Sequence, residues 1–146
     1  MKILRIWVLA LPLLLTGCSA TVVMPAAPLA NDPGCAEVIV RLPSETDGQT
    51  KRTTNSQSTA AWGEPVAITL TCGLEPVMVS GLPCITAGDV DWIVDDSDKP
   101  NYTFISFGRT PATAVTIDST RSSGANVLED LGQAVQFTEQ SKKCRD

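Results

Sequence analysis

The chain of 146 residues carries 16 acidic and 11 basic residues, so its net charge is −5, and it contains no histidine. The charge and the lack of a Lys/Arg cluster argue against nucleic acid as a partner, because phosphate contacts need several basic side chains on one face. The lack of histidine removes the commonest general base, the usual zinc ligand and the Ser-His-Asp triad.

The first 17 residues have the features of a secretory signal peptide. A positive start precedes an uncharged apolar run over residues 6–15, which would be about 15 Å long as a helix and so too short to span a bilayer. The run ends in LTGC, which resembles the lipobox of bacterial lipoproteins. We therefore predict that Cys18 becomes the mature N-terminus, carries a diacylglycerol, and anchors the protein at the extracytoplasmic face of the cell membrane.

Four further cysteines remain in the exported chain: Cys35, Cys72, Cys84 and Cys144. An even number in an exported protein is typical of disulfides, so we predict two of them. Three pairings are open. We favour Cys72–Cys84, because these residues flank a short loop between two predicted strands, and this choice leaves Cys35–Cys144 to tie the first exported segment to the tail.

The 129 residues after the signal peptide are enough for one domain with its own core. Residues 18–33 contain the lipidated cysteine and small, uncharged residues with prolines, which predict a flexible tether between membrane and domain. A short strand at residues 22–24 is the alternative. Residues 34–146 then form a single exported α+β domain.

A short helix is predicted at the start of this domain. Asp32 can cap it, Pro33 suits its first position, and apolar residues recur at helical spacing until Pro43. The letters VIV at residues 38–40 favour a strand instead. Residues 44–58 are polar and lack apolar periodicity, which predicts a long surface loop.

In the middle of the chain, apolar and polar residues alternate in a pattern that is typical of antiparallel strands. In PVAITLTC and DVDWIVDD, apolar residues recur at every second position, which is typical of strands with one buried face. NYTFISFG is apolar on both faces and ATAVTID follows it. Short acidic and glycine-containing turns join these segments into a meander.

A final helix is predicted after Ser122 or Ser123, either of which can cap it. Apolar residues recur along one of its faces, at Val127, Leu128, Leu131 and Val135. The overall prediction is an α+β fold, with an antiparallel sheet of four to five strands, one or two helices packed on it, and two disulfides.

Three residues are candidates for binding. Trp62 precedes a strand and could stack on a sugar, although an indole is more often buried in the core. Arg109 lies in a Gly-Arg-Thr turn and could bind a carboxylate or phosphate. Tyr102 is a further candidate, and for both Arg109 and Tyr102 an exposed residue without a ligand is the alternative.

The carboxylates do not predict a catalytic or metal site. Five aspartates within ten residues could hold calcium but lack the EF-hand spacing, and a solvated edge is the alternative: Asp89, Asp91, Asp95, Asp96 and Asp98. Glu64 and Glu75 flank one strand and would lie more than about 25 Å apart, which is too far for paired glycosidase carboxylates. We predict no catalytic residue, no metal and no cofactor.

Four stretches occur in a fixed order that resembles a known family: CAEVIVRLPSETDGQTKRTT, AAWGEPVAITLTCG, DVDWIVDDSD and YTFISFGRTPATAVTI. The family consists of small actinobacterial lipoproteins and secreted proteins and is catalogued as domain of unknown function thirty-five fifteen. The resemblance runs from Gly34 to the C-terminus. It implies a Gram-positive envelope, with the lipid in the outer leaflet of the plasma membrane, and it supplies no catalytic residue.

The sequence alone does not identify an activity. We predict a membrane-anchored envelope lipoprotein that acts as a non-enzymatic accessory or binding module and contacts an envelope protein or a cell-wall component. The alternative is a carboxylate-dependent hydrolase that acts on envelope glycan or peptide. That alternative requires two carboxylates within reach of one another in a pocket, one of them with a raised pKa.

Overall fold

The structure, a computed structural model, describes residues 19–144. Within this range two helices and ten strands follow one another. In chain order they are α1 (Pro33–Ile39), β1 (Glu45–Thr46), β2 (Gln49–Arg52), β3 (Thr59–Trp62), β4 (Ile68–Leu74), β5 (Cys84–Ala87), β6 (Val90–Asp98), β7 (Asn101–Ser106), β8 (Arg109–Thr110), β9 (Ala112–Asp118), α2 (Gly124–Val135) and β10 (Glu139–Gln140).

The predicted α+β fold is confirmed, but the number of strands is wrong. The main sheet is antiparallel with eight strands in the order β1-β2-β3-β4-β9-β7-β6-β5, and β8 pairs with β10 separately. The segment predicted as a surface loop contains the β1–β2 hairpin. Its Asp47-Gly48 turn has positive φ at both residues, and this dipeptide is a hairpin signal that the missing apolar alternation concealed.

One face of the sheet, here called the helix face, is covered by α1 and α2. The alternation predicted for β4 is confirmed, because Ile68, Leu70 and Cys72 are buried on this face. The predicted stripe of α2 is also buried on it, at Val127, Leu128, Leu131 and Val135. The opposite face carries half-buried threonines, among them Thr103 and Thr116, whose hydroxyl oxygens lie 2.9 Å apart.

Both helices begin at the residues that the sequence predicts. The side chain of Asp32 accepts a hydrogen bond from the amide of Gly34 at 2.8 Å, so the helix prediction is confirmed over the strand alternative. Ser123 is the N-cap of α2 and accepts a hydrogen bond from the amide of Asn126. Neither helix within residues 19–144 is long and apolar enough to cross a membrane.

All four cysteines within residues 19–144 form disulfides, but the predicted pairing is wrong. The bonds are Cys35–Cys72 and Cys84–Cys144, with Cα–Cα distances of 5.6 and 6.0 Å. Cys72 points to the helix face, where α1 presents Cys35. Cys84 is the cross-strand partner of Ile93 and therefore lies on the opposite face, where the C-terminal tail passes. Proximity along the chain thus predicted a bond between two side chains on opposite faces.

The segment predicted as a free tether packs against the domain over residues 22–32. Val22 forms a parallel bridge with Thr54, and its amide donates to the carbonyl of Thr53 at 2.8 Å. Met24 is buried, and the amide of Leu29 donates to the carbonyl of Gly73. The alternative of a short packed strand fits better, because Val22 and Met24 pack against the domain while Val23 between them is exposed. The predicted signal peptide and Cys18 lie outside the described residues.

Candidate functional site

Trp62 is part of the core and cannot act as an exposed binding residue. Its side chain in β3 is fully buried on the helix face, and its Nε1 donates to the carbonyl of Pro43 at 3.1 Å. The binding prediction for Trp62 is therefore wrong, and the alternative of a buried indole is confirmed. The partner at Pro43 satisfies the one polar atom of the ring.

Arg109 is buried as well, so neither the ligand-binding prediction nor the exposed-turn alternative holds. The side chain is 3 % exposed, and its Nη1 donates to the carbonyls of Gln136 at 3.0 Å and Thr138 at 2.7 Å, just after the end of α2. Burial lowers the pKa of Arg109, and the negative charge of Asp91 opposes that shift. Arg109 therefore joins the tail to the sheet.

The aspartates of residues 89–98 serve local structure. Asp91, predicted to point into solvent, is buried and accepts a hydrogen bond from the hydroxyl of Thr86 at 2.6 Å. Asp96 pairs with Lys99, and Asp98 accepts from the side chain of Asn101. Within residues 19–144, no three His, Cys, Asp or Glu side chains are grouped as metal ligands.

The two glutamates that flank β4 are also separate. Glu64 lies before the strand and forms an ion pair with Arg52, with Oε2 and Nη1 2.7 Å apart. Glu75 lies beyond the other end of the strand and is exposed. These two carboxylates do not share a site.

Tyr102 borders an apolar groove at the start of α2. The groove has a volume of about 210 Å³ and is lined by Tyr102, Phe104, Ile117, Ser119 and Gly124. It exists because α2 begins at Gly124, which lies over Phe104 and leaves Tyr102 half-buried. The rings of Tyr102 and Phe104 stack with centroids 6.5 Å apart, and the Lys99 ammonium lies 5.9 Å from the Tyr102 centroid.

The chemistry of this groove, here called the Tyr102 groove, is that of an apolar contact site. Its lining contains no carboxylate, and the hydroxyl of Ser119 already donates to the carbonyl of Pro100 at 2.9 Å. The groove therefore offers dispersion contacts and an aromatic face beside a cation. Of the three predicted binding residues, Tyr102 borders this groove, whereas Trp62 and Arg109 are buried.

A second cleft, here called the Lys51 cleft, was missed by the sequence analysis. It has a volume of about 350 Å³, and its wall includes Ser19, Gly48, Thr50, Lys51, Gly63 and Glu64. Arg52 closes one side, because its Nε donates to the hydroxyl of Ser19 at 3.0 Å and its Nη2 donates to the carbonyl of Ala20. The Asp47-Gly48 turn is the signal that could have revealed the hairpin on which this cleft depends.

The comparison with known families agrees with the sequence resemblance. A family model described as "Protein of unknown function (DUF3515)" matches residues 8–144. The chain belongs to the DUF3515 family. No curated protein and no solved structure shows a significant match to it.

Proposed function

We propose that this DUF3515 protein is a membrane-anchored envelope lipoprotein that acts as a non-enzymatic binding module. The observation that carries the proposal is that none of three grooves brings two carboxylates together. The Tyr102 groove has none, and the Lys51 cleft has Glu64 alone. A third groove beside α1 has Asp32 alone, which is engaged as the helix cap. Glycosidase acid/base pairs need two carboxylates within about 5–10 Å.

The pKa shifts of Asp95 and Asp118 are opposite to the shift that a general acid needs. Hydrogen bonds from Ser97 lower the pKa of Asp95, and hydrogen bonds from Thr120 lower the pKa of Asp118. Both shifts favour the ionised form. A general acid working near neutral pH needs the opposite, a carboxyl whose pKa is raised by burial or by a like charge.

The position of the first described residues supports close attachment to the membrane. Ser19 and Ala20 are bound to Arg52, so a diacylglycerol on Cys18 would begin one residue from the surface of the domain. The backbone pairing of Val22 with Thr53 and Asn55 extends this attachment. The lipid would therefore hold one defined edge of the sheet, near β2, next to the bilayer.

The Tyr102 groove is the proposed contact site, and its lining favours an envelope protein over a cell-wall glycan. A glycan needs hydrogen-bond partners for its hydroxyl groups, whereas the groove presents mainly carbon atoms and a hydroxyl that is already bonded. An apolar side chain of a partner protein would fill the groove and bury the exposed part of Tyr102.

Photocrosslinking in cells tests this proposal. The full chain would carry a photoreactive phenylalanine derivative at Ser119, on the rim of the groove, and in a matched control at Glu75, beyond the far end of β4. We expect one discrete protein adduct from the Ser119 position, strongly reduced when Tyr102→Ala is added, and none from Glu75. Equal labelling at both positions would contradict the groove assignment.

A second measurement addresses the hydrolase alternative. The purified protein would be incubated with peptidoglycan and with its peptides, and the soluble products would be followed by mass spectrometry. We expect no turnover. Cleavage that disappears in Glu64→Gln or in another single carboxylate variant would establish the hydrolase instead.

A further inference from the structure

The outer side of β5, here called the β5 edge (Cys84–Ala87), is an open edge of the main sheet. Within residues 19–144, β5 is the last strand in the sheet order and pairs with β6 alone. Natural edge strands are commonly protected from further pairing by charged residues, proline or a bulge. The four residues of β5 include no charge and no proline, their pairing with β6 is regular, and three of them are exposed. The β5 edge is therefore open to a further strand.

The register of β5 on β6 decides which of its backbone groups are available. The amide of Val94 donates to the carbonyl of Pro83 at 2.9 Å, so these two residues form a hydrogen-bonded pair at the start of the ladder. Hydrogen-bonded and non-hydrogen-bonded pairs alternate along antiparallel strands. Ile85 therefore directs its backbone groups towards β6, whereas Cys84 and Thr86 on either side of it direct theirs outwards.

The exposed strand is ordered before any partner binds. Gly88 and Asp89 have φ values of 56° and 59°, as the two-residue turn between β5 and β6 requires. At the other end of the strand, the disulfide between Cys84 and Cys144 ties β5 to the tail, and Cys84 remains exposed. A strand that is already fixed loses less conformational entropy when it binds.

The charges beside the edge favour a partner strand with basic residues. The carboxylate of Glu129 in α2 accepts a hydrogen bond from the amide of Gly88 at 3.0 Å, so two exposed acidic residues, Glu129 and Asp89, lie at the turn end of β5. Neither belongs to the ion pairs found within residues 19–144. Arg109 contacts the backbone carbonyl of Asp89, but the negative charge that acts on its guanidinium is that of Asp91. A lysine or arginine of a bound strand would supply the missing positive charge.

A second copy of the chain does not supply that charge. Antiparallel pairing of two β5 edges through their outward backbone groups would place a residue between positions 79 and 83 of one copy opposite Asp89 of the other. These positions read Val-Ser-Gly-Leu-Pro and include no basic residue. The charge at the turn therefore favours a different protein over a second copy.

We propose that the β5 edge binds an extended segment of a partner protein as an additional strand, with an apolar residue beside Ile85 and a lysine or arginine beside Asp89 and Glu129. Ile85 is 41 % exposed, and its cross-strand neighbour is the buried Trp92, so an apolar neighbour would extend the core outwards. Main-chain hydrogen bonds supply affinity in such strand addition, and alternate side chains supply specificity. The edge is separate from the Tyr102 groove and forms a second contact surface.

Amide hydrogen exchange tests the proposal on the exported chain, residues 18–146, purified with Cys18→Ser so that no lipid is attached. The probe is the end-blocked peptide Lys-Thr-Val-Thr-Val-Thr-Lys at millimolar concentration, in which a lysine can reach the turn in either strand direction. We expect exchange of the Cys84 and Thr86 amides to slow about tenfold, as about 90 % occupancy implies, while the Ile85 amide is already protected by β6. The same peptide with glutamate in place of lysine should protect much less.

Three results would overturn the proposal. The first is unchanged exchange of the Cys84 and Thr86 amides in the presence of the lysine peptide. The second is equal slowing by the lysine and glutamate peptides, which would remove the charge preference. The third is slowing of the same amides without peptide as the protein concentration rises, which would identify a second copy as the occupant.

A pair of variants at one residue isolates the backbone contact. Thr86→Pro removes the outward amide and Thr86→Ala keeps it, whereas both lose the hydroxyl that donates to Asp91. Proline is tolerated on an edge strand where its nitrogen faces solvent. We expect Thr86→Pro to bind a fluorescent form of the lysine peptide about tenfold more weakly than Thr86→Ala, as loss of one hydrogen bond implies. Circular dichroism would check both folds, and equal affinities would exclude strand addition at this edge.

Discussion

The carboxylate of Asp91 accepts a hydrogen bond from the backbone amide of Cys144 at 3.0 Å. The same side chain accepts from the hydroxyl of Thr86 and lies near the buried guanidinium of Arg109. These contacts and the Cys84–Cys144 bond hold the C-terminal tail against the sheet. The strand pattern predicts that Asp91 faces solvent, but its side chain instead helps to attach the C-terminal tail to the sheet.

We predict that Asp91→Ala lowers the free energy of unfolding by about 1–3 kcal/mol, because it removes the acceptor of two hydrogen bonds and the negative charge near the buried Arg109 guanidinium. Asp96→Ala is the matched control, since Asp96 lies on the same strand but pairs in solvent with Lys99. Its effect should be below about 1 kcal/mol. Urea unfolding followed by circular dichroism measures both. Equal effects would mean that Asp91 is as solvated as Asp96.

The disulfide pairing makes a second prediction. Non-reducing peptide mapping should recover Cys35 with Cys72 and Cys84 with Cys144. The bonds join residues 37 and 60 positions apart, so the chain-entropy model predicts that removal of either pair costs about 4 kcal/mol. Double variants to alanine, unfolded in urea, would measure this cost. Recovery of Cys72 with Cys84 would contradict the observed pairing.

Trp62 gives a third prediction. Trp62→Ala should destabilise the domain by about 3–5 kcal/mol, because it empties a fully buried site and leaves the carbonyl of Pro43 without its donor. Tyr102→Ala should cost less, since Tyr102 is half-buried at the rim of a groove. Thermal unfolding of the two variants compares them. A Trp62→Ala protein as stable as Tyr102→Ala would argue against a core role.

The parts of the fold that the sequence predicted are those with strong local patterns. The cap at Ser123 and the stripe from Val127 to Val135 define α2 without reference to the rest of the chain. The β1–β2 hairpin lacks such a stripe, because its burial pattern is mostly partial or exposed and its pairing depends on β3. The alternation of apolar and polar residues was likewise sufficient to predict β4.

The candidate sites were harder to predict because they depend on contacts between distant segments. Arg109 and Asp91 are buried by the tail that follows α2, and nothing in the turn or strand around them signals this. The Lys51 cleft needs both the β2–β3 pairing and the return of Ser19 to Arg52, 33 residues away in sequence. Neither the β2–β3 pairing nor the contact of Ser19 with Arg52 can be predicted from composition or residue spacing.

The pH dependence of stability gives a fourth prediction. Hydrogen bonds from Thr120 hold the pKa of Asp118 below its ordinary value of 3.8. A lowered native pKa stabilises the fold above pH 3.8, and this contribution is lost as the pH falls towards the native pKa. Asp118→Asn should therefore show a flatter decline of stability than wild type with acidification below pH 3.8. Urea unfolding across this pH range measures the free energy of unfolding of both proteins. An equal or steeper decline in Asp118→Asn would refute the assignment.

The last prediction concerns Cys18, which the LTGC junction predicts to be the lipid attachment site. Wild-type protein should partition into a detergent phase and show the mass of a diacylglycerol on Cys18, because two acyl chains anchor stably. Cys18→Ser should remain in the aqueous phase with an unchanged circular dichroism spectrum, since Ser19 and Ala20 keep their contacts with Arg52. An unmodified Cys18 in exported wild-type protein would show that the anchor is absent.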